Sequence, residues 1–88
     1  MSKSIKKSTR NSHDNALLEL FGRNLRQIRE RMELSQEQIA YEAGFSRSYY
    51  TEIETGKRNI SLLNIIKICK FLKIDVNEII QLKDFSSI

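Results

Sequence analysis

Apolar residues recur along this chain at steps of three and four. Leu17, Leu18, Phe21, Leu25, Ile28 and Met32 form one stripe over residues 14–32, the spacing that places side chains on a single face of a helix. Arg23, Arg26 and Arg31 mark the other face. Ser35-Gln36-Glu37-Gln38 fits a reciprocal capping box and predicts a short helix with Ile39, Ala40 and Ala43 facing inward. Gly44 is placed to end that helix in the left-handed conformation. Ser46 can cap a third helix over residues 47–55, with Tyr50 and Ile53 inward and Gly56 closing it. Ser61 starts a fourth helix over residues 62–72. Asp75-Val76-Asn77-Glu78 offers a second capping box and predicts a fifth helix ending at residue 82. The expectation is an all-α fold of five helices. Residues 1–13 form a disordered basic tail, 14–82 the folded domain, and 83–88 a C-terminal tail.

Composition supports the helical reading. The 88 residues leave room for one small domain. There is no Pro and there are three Gly, too few turn formers for a β-sandwich or barrel. No apolar run approaches the ~20 residues that span a bilayer, so no membrane partner is expected. Lys3, Lys6, Lys7 and Arg10 resemble the basic start of a signal peptide, but no apolar stretch follows them. The single cysteine, Cys69, has no internal partner, which suits a reducing cytoplasm. The net charge of +4 comes from 15 basic and 11 acidic residues. Four of the bases lie in residues 1–13 with no acid, so the rest of the chain is balanced. A case for DNA therefore rests on where charges sit in the folded part. The basic tail adds the prospect of an arm on phosphates.

Residues 36–53 carry the functional signal. Two short helical segments meet at Gly44-Phe45-Ser46, with small Ala40 four residues before the glycine and Ile53 returning to the core nine residues after it. This is the pattern of a helix-turn-helix, whose second helix crosses the first and stands out far enough to enter a major groove.

Leu34-Ser35-Gln36-Glu37-Gln38-Ile39-Ala40, Ala43-Gly44 and Ile53-Glu54-Thr55-Gly56-Lys57-Arg58 together resemble the phage-repressor (Cro/C1-type, Xre) helix-turn-helix family over residues 21–82. Arg58-Asn59-Ile60-Ser61-Leu62 and the Ile65, Ile68-Cys69 pattern are similar to the controller proteins of restriction–modification systems. The resemblance implies a docking mode. Gln36 would meet a phosphate at the positive end of the second helix. Arg47, Ser48, Tyr49 and Glu52 match positions that meet bases. The Arg47 fork suits guanine O6 and N7, Tyr49 a thymine methyl or a phosphate, and Glu52 cytosine N4. Lys57, Arg58 and Asn59 would straddle the backbone. Outside this context Arg47 reads as a solvated arginine, Lys57 and Arg58 as a charged loop, and Gln36 as part of a helix start. The resemblance also implies an ion pair between Arg29 and Glu54 that ties the first helix to the third. Tyr50 departs from the family, which usually has an aliphatic β-branched residue there, and its hydroxyl must reach water or a partner.

Catalysis finds no support in the residue pattern. His13 is the single histidine, and Cys69 sits at helical spacing with Leu62, Ile65, Ile66 and Leu72 as a small apolar residue. No glycine-rich phosphate loop, metal-ligand cluster or nucleophile–base pair stands out. The expectation is no enzyme, no cofactor, no metal and no small-molecule ligand.

The fourth helix is apolar around most of its circumference, and residues 76–88 add Val76, Ile79, Ile80, Leu82, Phe85 and Ile88. One small core does not cover so wide an arc. A homodimer through Phe71, Val76, Ile79, Ile80 and Phe85 is expected. The alternative is the first helix folding back over this surface. The leading expectation is thus a sequence-specific regulator that occupies a pseudo-palindromic site on double-stranded DNA, with RNA polymerase as a further partner. The runner-up is an antitoxin that silences a toxin protein and autoregulates its operon. A scaffold that has lost DNA binding fits poorly with Gln36, Arg47 and Lys57 standing together.

Overall fold

The computed structural model describes residues 11–86. Among these residues five α-helices follow one another: α1 (Ser12–Arg31), α2 (Gln36–Ala43), α3 (Arg47–Glu54), α4 (Leu62–Leu72) and α5 (Leu82–Phe85), with a 3₁₀ turn at Val76–Glu78 between the last two. The first four match the expected segments. α1 begins earlier than expected, because the Asn11 side chain caps it by accepting from the Asp14 N–H at 2.8 Å. Residues 12 and 13 therefore belong to the first helix, with Asn11 as its cap, and not to the tail. Residues 1–10, with most of the expected basic arm, lie outside the described residues.

The expected fifth helix over residues 75–82 is not formed. Glu78 accepts from the Asp75 N–H at 3.1 Å, but the helix stops after one tight turn. The Ile79 carbonyl, which a continuing helix would use, accepts instead from Asn24 Nδ2 of α1 at 2.8 Å. A tertiary hydrogen bond thus replaces a helical one, and Ile79 is drawn fully into the core. The last short helix forms beyond, over part of the expected C-terminal tail.

The core collects Phe21, Leu25 and Ile28 of α1, Ile39, Ala40 and Ala43 of α2, Tyr50 and Ile53 of α3, and Ile68, Cys69 and Leu72 of α4, closed by Ile60 and Ile79. Each fully buried side chain of leucine size contributes about 1.5–3 kcal/mol. Met32, at the end of the α1 stripe, caps the helix and is 45% exposed. Burial pushes the Cys69 thiol up, so it stays an unreactive core residue.

Two glycines set the geometry of the functional half. Gly44 has φ +81°, and the Phe45 N–H reaches back to the Ala40 carbonyl at 2.8 Å, closing α2 in a Schellman turn. Gly22 acts by absence of bulk. A Cβ there would collide with the backbone carbonyl of Glu54, so α1 crosses the end of α3 at backbone contact. Lys73 (φ +58°) ends α4 in the same left-handed conformation without being glycine, with the Ile74 N–H on the Cys69 carbonyl at 3.1 Å.

Candidate nucleic-acid interface

Local capping fixes α2 and α3 before any tertiary contact is considered. Ser35 accepts from the Gln38 N–H at 3.0 Å while Gln38 accepts from the Ser35 N–H at 2.7 Å, the reciprocal arrangement expected. Ser46 accepts from the Tyr49 N–H at 3.1 Å. With the turn at Gly44 between them, α3 lies across α2 as the second member of a helix-turn-helix.

A buried polar network then locks α3 to the rest of the domain. Arg29 Nε donates to Glu54 Oε2 at 2.6 Å and Nη2 to Oε1 at 3.1 Å, a two-pronged pair with both side chains almost wholly covered. Arg29 Nη1 also donates to the Leu34 carbonyl at 2.7 Å. The Tyr50 hydroxyl donates to Glu54 Oε2 at 2.5 Å, which answers where its polar end goes. Burial alone would raise the Glu54 carboxyl. Hydrogen bonds from Arg29, Tyr50 and Gln36 and the Arg29 charge outweigh it and hold the carboxyl below its usual range. The hydrogen bond to Glu54 holds the Arg29 guanidinium more firmly protonated, and burial pushes the Tyr50 phenol up. The carboxylate is fully satisfied, so the charges are structural.

Gln36 belongs to the same network. Its Nε2 donates to Glu54 Oε1 at 3.0 Å, and its Oε1 accepts from the Thr51 hydroxyl at 3.0 Å. The side chain expected on a phosphate is engaged inside the protein, because α3 passes close enough to the start of α2 to offer both partners. The capping box takes the Ser35 and Gln38 N–H groups, so an anion at the exposed start of α2 would be left those of Gln36 and Glu37.

The outer face of α3 is open. Arg47, Ser48, Thr51, Glu52, Thr55 and Lys57 line one shallow depression of about 430 Å³. Arg47 pairs with Glu37 at 3.2 Å, both exposed, an association worth about 0–1 kcal/mol that an incoming anion can displace. Glu52 is likewise paired at the surface, its carboxylate accepting from Arg58 Nε at 2.7 Å. Arg58 in turn lies 5.3 Å from the Tyr49 ring centroid. Tyr49 is half-buried. Its ring meets Phe45 edge-on at 5.1 Å and its hydroxyl accepts from Asn64 Nδ2 at 2.8 Å. Asn59 lines a different depression, with Asp14, Leu17 and Leu18 near the start of α1. Thr51 and Thr55 were legible as i+4 and i+8 from Arg47 on the same helix face. Asn64 had no local signal.

Comparison with known proteins decides the family. The helix-turn-helix family HTH_3 matches residues 25–79. The chain belongs to this helix-turn-helix family. HTH_3 members of this kind are DNA-binding transcription regulators rather than enzymes. The control protein C.BamHI of Bacillus amyloliquefaciens is 43% identical over 70 residues, covering 78% of this chain and 83% of that one. The control protein C.MunI of a Mycoplasma species is 45% identical over 60 residues, covering 67% and 81%. The crystal structure of the restriction-modification controller protein C.AhdI from Aeromonas hydrophila superposes with a TM-score of 0.72 at 43% identity, covering 74% of this chain and 98% of that one.

On this HTH_3 domain, the residues expected to pair two copies do not form one face. Ile79 is fully buried in its own core. Phe71 turns toward α2, sharing a depression with Leu34 and Tyr41, and Phe85 packs half-buried against the core. Val76 and Ile80 do lie on an open apolar groove with Leu82. Val76 also borders a second groove lined by Leu62, Ile65 and Ile66 of α4. Leu62, Leu63 and Leu82 are each about 70% exposed or more. No helix among the described residues is long and apolar enough to cross a membrane.

Proposed function

We propose that this chain binds a pseudo-palindromic operator as a homodimer and controls transcription there, as the controller protein of a restriction–modification system. The outward α3 face carries the reading: Arg47, Ser48 and Lys57 border an open depression on a helix whose inner face is locked by Arg29 and Glu54. A rigid helix with exposed polar side chains at its start suits the major groove, while phosphate contacts supply affinity and register. The grooves at Val76 and α4 form the surface for the second copy, since a domain of this size rarely leaves so much apolar area wet. Two copies would present two α3 helices to half-sites about 34–36 Å apart, one turn of the duplex. Bound there in the cytoplasm, the dimer would block or recruit RNA polymerase.

Selection of bound sequences from a random duplex pool tests this. A two-fold symmetric consensus with that spacing is expected, together with a dimer in sedimentation. Enrichment of an asymmetric sequence, or of none, would overturn it.

A further inference from the structure

Tyr49 differs from its neighbours on the outer face of α3 in being oriented from another helix. Ser61 caps α4 by accepting from the Asn64 N–H at 3.1 Å, which fixes Asn64 in the first turn of α4. From there Asn64 Nδ2 donates to the Tyr49 hydroxyl at 2.8 Å. Phe45 buttresses the ring edge-on. The Arg58 guanidinium, held by Glu52, lies 5.3 Å from the ring centroid. A phenol has one proton to give and lone pairs to receive. With a lone pair engaged by Asn64, its proton remains to be given to something else.

We propose that Asn64 is a positioning residue for DNA recognition: it makes the Tyr49 phenol a committed hydrogen-bond donor beside Arg58, aimed at an acceptor atom of the duplex. The inference rests on the docking mode proposed above. It assigns a role to a residue of α4 that lies outside the helix-turn-helix. The acceptor is a phosphate oxygen or a base-edge O or N atom, which share the chemistry of an exposed lone pair.

A double-mutant cycle on the full chain tests it, using the duplex recovered by the selection. Tyr49→Phe and Asn64→Leu should each weaken binding, on the order of 3–10-fold. Asn64→Leu should weaken it no further in the Tyr49→Phe background. Asn64→Asp keeps the shape but accepts the phenol proton and turns it inward, so it should lose at least as much as Asn64→Leu. Circular dichroism melts show whether each variant keeps the fold. Loss of selection at one symmetric operator position identifies a base-edge acceptor, and an equal loss on all sequences a phosphate. Additive losses, or parental binding by Asn64→Leu and Asn64→Asp, would overturn the assignment while leaving the docking mode intact. A parent chain that bound no duplex would overturn the docking mode itself.

Discussion

Gln36 and Glu54 are joined across the helix-turn-helix by a hydrogen bond of 3.0 Å from Nε2 to Oε1. With Thr51 donating to the other end of the same amide, the first residue of α2 is latched to α3 at two points. Gln36→Ala should therefore destabilise the fold, by about 1–2 kcal/mol. Urea unfolding reads this directly. A side chain serving a phosphate alone would leave the midpoint unchanged and lower only DNA affinity.

The Glu54 carboxyl makes stability depend on acid. Its folded value lies below the ordinary 4.5 because Arg29, Tyr50 and Gln36 donate to the ionised form despite burial. The contribution is complete above 4.5 and drains away as pH falls through the lower folded value. Glu54→Gln breaks a buried pair, which costs about 3–5 kcal/mol near neutrality. The gap to the parent chain should narrow as the pH drops below 4.5. Thermal melts across pH 2–7 check it, and a constant gap would contradict it.

Gly22→Ala should be destabilising although alanine is the better helix former by about 1 kcal/mol. The new methyl would meet the Glu54 carbonyl, and relieving that contact moves α1 from α3 at a cost of about 1–3 kcal/mol. The same displacement strains the Arg29–Glu54 pair, so the acid dependence should weaken in parallel.

Lys73→Gly should raise stability. A left-handed residue with a side chain costs roughly 1–2 kcal/mol that glycine avoids, less its greater freedom when unfolded. A net gain of about 0.5–1 kcal/mol is expected in urea midpoints.

On DNA, Arg47→Ala should cost about 1–3 kcal/mol on the selected operator and relax selection at one position. Lys57→Ala should weaken all sequences alike and lower the salt slope by about one. Filter binding at several salt concentrations separates the two. Parental behaviour by both variants would exclude α3 as the reading helix.

The sequence by itself determined the parts of this protein whose cause is local. Ser35, Ser46 and Ser61 start helices because their hydroxyls reach a backbone N–H three residues on, and Gly44 ends one because it tolerates positive φ. Helical spacing showed which faces turn inward, whereas the Arg29–Glu54 pair, 25 residues apart, was implied only by the family resemblance. Tertiary structure alone decided the rest. Asn24 captures the Ile79 carbonyl from 55 residues away and ends the expected fifth helix. Gln36 turns inward because α3 brings Glu54 and Thr51 to it, and Asn64 reaches Tyr49 across the α3–α4 connection. Caps and turns depend on neighbours within one helical turn, whereas these side chains chose partners that only the packing of helices brought within hydrogen-bond distance.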